Sequence, residues 1–217
     1  MKMLLTSGGL ENDSIVNALR GLVGTPLEGV KLAFVPTAAN AEEGDKGWLI
    51  NDLNACKKLG FEVDIVDISA SPKEVWKPRL EATQVIFVEG GNTFHLMHWV
   101  RASGLQGFLP ELLKTRVYVG VSAGSVIAGS SLQFSRSEKA DAERIDGPIA
   151  EDGLGLVDFC VEPHIGSQYF PELTFEYVKK EAEETGETIY ALDDQSAVQV
   201  IDGEVAVISE GKWEKSN

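Results

Sequence analysis

Over the first 130 residues, short apolar runs alternate with stretches whose apolar residues recur every three or four positions. "KMLLTSG" (2–8) precedes "ENDSIVNALRGLVG", where Ile15, Leu19 and Leu22 fall on one helical face. "KLAFVPTA" (31–38) precedes "GWLINDLNACKKLG", with Leu49, Leu53 and Cys56 on one face and Gly60 as a stop. "FEVDIVDIS" (61–69) alternates, and a short helical piece follows at 73–80. "QVIFVEGG" (84–91) leads into the helical "TFHLMHWVRASG" and a second helix at 108–114, and "RVYVGVS" (116–122) into the small-residue stretch "AGSVIAG". Near-continuous apolar strands separated by helices predict a mostly parallel sheet, buried on both faces and doubly wound by right-handed crossovers. Periodicity alone does not order its strands.

The last third reads differently. "DFCVEPHIG" (158–166) ends another strand, and "PELTFEYVKKEAEETG" is a helix with Pro171 in its first turn and Gly186 at its end. "TIYALDD", "SAVQVI" and "EVAVISEG" read as strands, the last two closing a C-terminal β-hairpin through Asp202-Gly203. Residues 135–152 form the most polar non-helical segment and predict a surface loop. Without linker or repeat, residues 1–217 are expected to form one domain.

Composition narrows the function classes. The chain of 217 residues has 34 acidic and 19 basic residues, a net charge of −15. Such a surface repels nucleic acid and anionic membranes, so neither is expected as a partner; small neutral or cationic substrates fit better. No apolar run is long enough to span a bilayer, and the apolar patch at the N-terminus is too short for a signal peptide. Cys56 and Cys160 lie far apart without C-x-x-C spacing, which suggests neither a disulfide framework nor a zinc site. A cytoplasmic location is the simplest expectation.

In open parallel sheets, ligands bind at the carboxyl ends of the strands. Ser122, the Gly90-Gly91-Asn92 run and His164 each follow a predicted strand. Gly120, Ser122 and Gly124 match G-x-S-x-G, in which a strained turn exposes the serine hydroxyl and side chains two residues away would collide. Alone, the motif reads equally well as a glycine-eased turn with Ser122 capping a helix. Of three histidines, His95 and His98 fall on a helix among packing residues, whereas His164 follows Pro163 at a strand end, where an imidazole can be aimed. The glycines of "VEGGNT" let backbone N–H groups approach a reacting carbonyl, and Asn92 or Thr93 can cap the following helix.

"VPTAA" (35–39), "VEGGNTFHL" (88–96), "GVSAGSVIAG" (120–129) and "PHIGS" (163–167), in this order, resemble the peptidase E family of serine peptidases, the dipeptidase E and cyanophycinase group. The resemblance covers nearly the whole chain. It implies a class I glutamine-amidotransferase-like (flavodoxin-like) α/β fold, a Ser122 nucleophile, a His164 base and oxyanion N–H groups from Gly91 and Ala123. Family members carry an acidic residue in the segment after the elbow. Here that window holds Glu138, with Asp141 just beyond, so the implied triad is Ser122, Glu138 and His164. The implied substrate is a short peptide, and neither metal nor organic cofactor is implied. Aspartyl members hold the substrate carboxylate with an arginine whose matching position here is Val178. No arginine follows Arg144. Two rival readings are a hydrolase of a non-peptide ester or amide with the same machinery and a flavodoxin-like binding domain with an inert serine. The oligomeric state is not legible.

Overall fold

Each predicted apolar run of the first 130 residues contains a strand: β1 (Lys2–Thr6), β2 (Lys31–Val35), β3 (Glu62–Ile65), β4 (Val85–Val88) and β5 (Val117–Val121). These come from a computed structural model, which describes residues 1–135 and 150–217. The five strands are mutually parallel in the order β3-β2-β4-β5-β1, and β8 (Ser196–Ile201) and β9 (Glu204–Ser209) extend the sheet beyond β1. β8 runs antiparallel to β1, and β9 antiparallel to β8. The turn between them is Asp202 and Gly203, both at positive φ, as a tight two-residue hairpin requires.

Strand alternation divides the core between two faces. Leu4, Leu32, Phe34, Phe87 and Val119 pack under α1 (Asp13–Val23) and α2 (Gly47–Lys58) through Ile15, Leu19, Leu22 and Cys56. Met3, Leu5, Ile86, Val88 and Tyr118 face α3 (Lys73–Glu81), α4 (Thr93–Ala102), α5 (Leu105–Leu112) and the single turn α6 (Ala123–Val126). A second sheet of order β10-β7-β6 holds β6 (Cys160–Glu162), β7 (Ile189–Leu192) and β10 (Trp213–Ser216). It packs against α7 (Phe175–Thr185) through Cys160, Val178, Ala182 and Ile189.

Two predicted elements need correction, and one strand lies outside the prediction. α7 starts after Pro171, at Phe175, because Thr174 provides the cap: its hydroxyl accepts the Tyr177 N–H at 3.1 Å. β3 covers only 62–65, the residues that pair with Lys31–Phe34 of β2 at the sheet edge. β10 has no apolar alternation, since three of its four residues are exposed, and pairing with β7 alone makes it a strand. No helix among the described residues is long and apolar enough to cross a membrane.

Candidate active site

The carboxyl ends of β1, β4, β5, β6 and β7 bring the candidate residues together. Ser122 follows β5 with φ 46 and ψ −110, a conformation that costs a non-glycine residue about 1–3 kcal/mol. Its surroundings hold it there. The Ser122 N–H bonds the Thr6 carbonyl at 3.1 Å, and the Ser125 hydroxyl bonds the same carbonyl at 2.8 Å. The Thr6 hydroxyl donates to the Gly120 carbonyl, and the buried Tyr118 hydroxyl donates to Gly124 O at 2.6 Å. Both motif glycines are sterically required. A Cβ at Gly120 would lie 2.6 Å from the Gly124 carbonyl, and one at Gly124 would lie 2.1 Å from the Val88 carbonyl oxygen.

The turn after β4 lies directly against the serine. A Cβ at Gly90 would come within 3.2 Å of Ser122 Cβ and 3.8 Å of its Oγ. Gly91 adopts φ 125, and a Cβ there would strike the Ala38 carbonyl oxygen at 2.5 Å. Asn92 then caps α4 by accepting the His95 N–H at 3.0 Å. Neither the Gly91 N–H nor that of Ala123, the first residue of α6, has an acceptor among the described residues. Two backbone donors without an acceptor among the described residues therefore lie in the turns that meet at Ser122.

His164 follows β6 at φ 64, and its Nε2 lies 2.8 Å from Ser122 Oγ. Nδ1 lies 2.6 Å from Asp194 Oδ1. The hydrogen-bond network assigns the tautomer: Nδ1–H donates to the carboxylate, leaving the Nε2 lone pair to accept from the serine. Phe170 stacks on the imidazole with ring centroids 5.5 Å apart. Ser7, fully buried at the end of β1, joins two members of the group: its hydroxyl accepts the His164 backbone N–H at 2.8 Å and donates to Asp194 Oδ1 at 2.9 Å. Burial pushes the Asp194 carboxyl up, but the hydrogen bonds and charge of His164, with the Ser7 hydroxyl, outweigh it and hold the group below its ordinary value.

Among the described residues, the carboxylate on His164 is Asp194, which follows the histidine in the chain. The resemblance implies a carboxylate between serine and histidine, at Glu138 or Asp141, both of which lie outside the described residues. The Nδ1 position carries one hydrogen to donate, and it is directed at Asp194, in the turn between β7 and β8. The order is thus serine, histidine, aspartate. A usable signal was present, since Asp193 and Asp194 follow the apolar run "IYAL" at a strand's carboxyl end, where the other candidates were found. Asp193 is occupied structurally, accepting from the Ser196 hydroxyl and the Gln195 N–H. Beside Asp194 opens a cleft of about 480 Å³ lined by Ser167, Thr174, Gln195 and Lys212, among others. Val178 is fully buried against the second sheet and faces no cleft.

Known peptidases resemble the chain over most of its length. The chain is 28% identical over 180 residues to an uncharacterized peptidase of Listeria monocytogenes, covering 82% of this chain and 86% of that one. It is 28% identical over 216 residues to peptidase E of Streptomyces coelicolor, covering 96% and 84%. The fold matches the crystal structure of a peptidase E-type protein from Listeria monocytogenes with a TM-score of 0.82 and 26% identity, over 97% of this chain and 98% of that one. The family model of peptidase family S51 matches residues 3–208, spanning the sheet, the elbow, His164 and Asp194. The chain belongs to peptidase family S51.

Proposed function

We propose that this peptidase hydrolyses peptide bonds of short peptides through a Ser122–His164–Asp194 triad and an acyl-enzyme. Ser122 Oγ attacks the scissile carbonyl carbon while Nε2 of His164 takes its proton. Asp194 holds the ring in the required tautomer and stabilises the imidazolium. The N–H groups of Gly91 and Ala123 receive the oxyanion. The C–N bond then breaks as Nε2 returns the proton to the leaving amine. Water, deprotonated by the same nitrogen, attacks the acyl carbon and releases the acid and the serine.

The unbroken hydrogen-bond chain from Asp194 through His164 to a serine on a strained turn carries this reading. On the same reading the sheet is of the class I glutamine-amidotransferase-like type, the chain acts as one unit, and the surroundings are cytoplasmic. The partners are small substrates rather than nucleic acid or membrane, in keeping with the charge of −15. The test is a dipeptide-library hydrolysis screen of wild type beside Ser122→Ala. Hydrolysis by wild type alone supports the proposal. Ester or amide turnover without any peptide turnover shifts the substrate class, and inertness toward all three supports a binding domain.

A further inference from the structure

One buried pair of acids has no part in the mechanism above. Glu89 is the residue immediately before Gly90 and Gly91, and it is wholly inaccessible. Neither of its carboxyl oxygens has a donor in full hydrogen-bonding geometry among the described residues, although the Gly90 N–H lies close enough to favour the charged form somewhat. What lies against it is another carboxyl, that of Asp52, buried on the inner face of α2. Asp52 in turn abuts the loop after β1: a Cβ at Gly9 would stand 2.7 Å from its Oδ1. The other titratable groups facing the pair are the buried thiol of Cys56, one turn along α2, and the exposed Glu11, which also feels Asp194. All of them are acids, and among the described residues no cation neutralises the pair.

Two carboxylates in contact inside a protein cannot both be charged without a cation between them. We propose that Glu89 and Asp52 share one proton, and that this carboxyl pair is a positioning element of the oxyanion turn, tying α2 to the residue that precedes Gly90 and Gly91. In this arrangement Glu89 stays protonated and donates to the Asp52 carboxylate. Burial raises both groups, while their mutual hydrogen bond raises Glu89 and lowers Asp52, as expected when Glu89 holds the proton and donates it. Removing the shared proton at alkaline pH leaves two like charges in contact. They separate, and the turn bearing the Gly91 N–H moves with Glu89. Because oxyanion donors act only at close and fixed distance, a small displacement lowers turnover more than substrate binding.

The consequence for activity rests on the serine-hydrolase reading, whereas the shared proton does not. Two measurements separate them. Infrared difference spectra of the whole protein at neutral pH are expected to show the carbonyl stretch of a protonated buried carboxyl, and Glu89→Gln is expected to remove it. No such band in wild type, or a band unchanged in Glu89→Gln, overturns the proposal whatever the enzyme hydrolyses. In kinetics, each protein is compared with itself at neutral and alkaline pH. Wild-type kcat is expected to fall about tenfold on the alkaline side with KM moving much less, a fraction of the loss that deleting an oxyanion donor causes. Glu89→Gln and Asp52→Asn each abolish the doubly charged state, because an amide replaces one carboxyl and can still pair with the other. Both are expected to flatten that fall to within about twofold. An alkaline fall that persists unchanged in whichever of the two variants folds overturns the positioning role.

Discussion

Replacing Asp194 by asparagine removes one charge while keeping the side-chain shape. Its effect follows from which atoms meet the carboxylate. Oδ1 accepts from both His164 Nδ1–H and the Ser7 hydroxyl, and Ser7 is fixed because it also accepts the His164 backbone N–H. An asparagine is therefore held with its amide oxygen toward both donors. The imidazole keeps its tautomer, and the loss is confined to the charge. Opposite charges about 4 Å apart attract by about 4 kcal/mol at an effective dielectric near 20. Asp194 is 44% exposed, so solvent reduces this to about 3 kcal/mol. That corresponds to a fall in kcat of about 10²-fold, against about 10⁴ for an asparagine that imposes the wrong tautomer. The assay is kcat and KM of Asp194→Asn on the best substrate from the dipeptide screen, with KM expected to change only a few-fold. Activity within about threefold of wild type refutes the reasoning, because so small a loss leaves no room for a charge in contact with the imidazolium. If Glu138→Gln inactivates while Asp194→Asn does not, the carboxylate belongs to the segment after the elbow.

Three further outcomes are expected. Ser7→Ala should lower kcat about tenfold with KM little changed, by freeing both the strained His164 backbone and Asp194, and Ser7→Thr should restore part of the loss; equal kcat with a lowered Tm would make Ser7 purely structural. Asp-Leu should be a poor substrate beside Ala-Leu and Lys-Leu in kcat/KM, because Val178, where aspartyl relatives place an arginine, is buried in the α7 core; a clear preference for Asp-Leu would mean that another cation, such as Lys212 lining the cleft, takes that role. Stability should fall as pH rises from 3.8 through about 6, because Asp52 is raised to about 6 from 3.8 and Glu89 is raised as well, so their cost is absent below the unfolded values and complete above the folded ones; for Asp52 alone this is about 3 kcal/mol in all, roughly half of it between pH 5 and pH 8, seen there as a drop in wild-type Tm of order 5 °C that Glu89→Gln reduces, and a pH-independent Tm would contradict it.

What the sequence revealed depended on how far each signal reaches along the chain. Strand and helix periods are local, so β1 through β5 and their helices were readable from apolar spacing. The elbow was readable because its steric demand falls two positions either side of Ser122, on Gly120 and Gly124. His164 stood out because histidines are few. Asp194 did not, because it is one of 34 acidic residues, its partner lies thirty positions away, and nothing local distinguishes it from Asp193. The central place of β1, between β5 and β8, is a property of crossovers that periodicity does not encode. β10 carries a polar, exposed sequence whose strand character comes from β7. The meeting of Glu89 with Asp52 likewise exists only once β4 and α2 are packed.

Every catalytic role proposed for this site depends on Ser122 being a nucleophile activated by His164. The most direct test is intact mass followed by peptide mapping after exposure to a fluorophosphonate. The result expected is a single adduct on Ser122, formed much more slowly in His164→Ala and absent in Ser122→Ala. An unlabelled Ser122 in a preparation that still hydrolyses peptides, with hydrolysis surviving in Ser122→Ala, would contradict it.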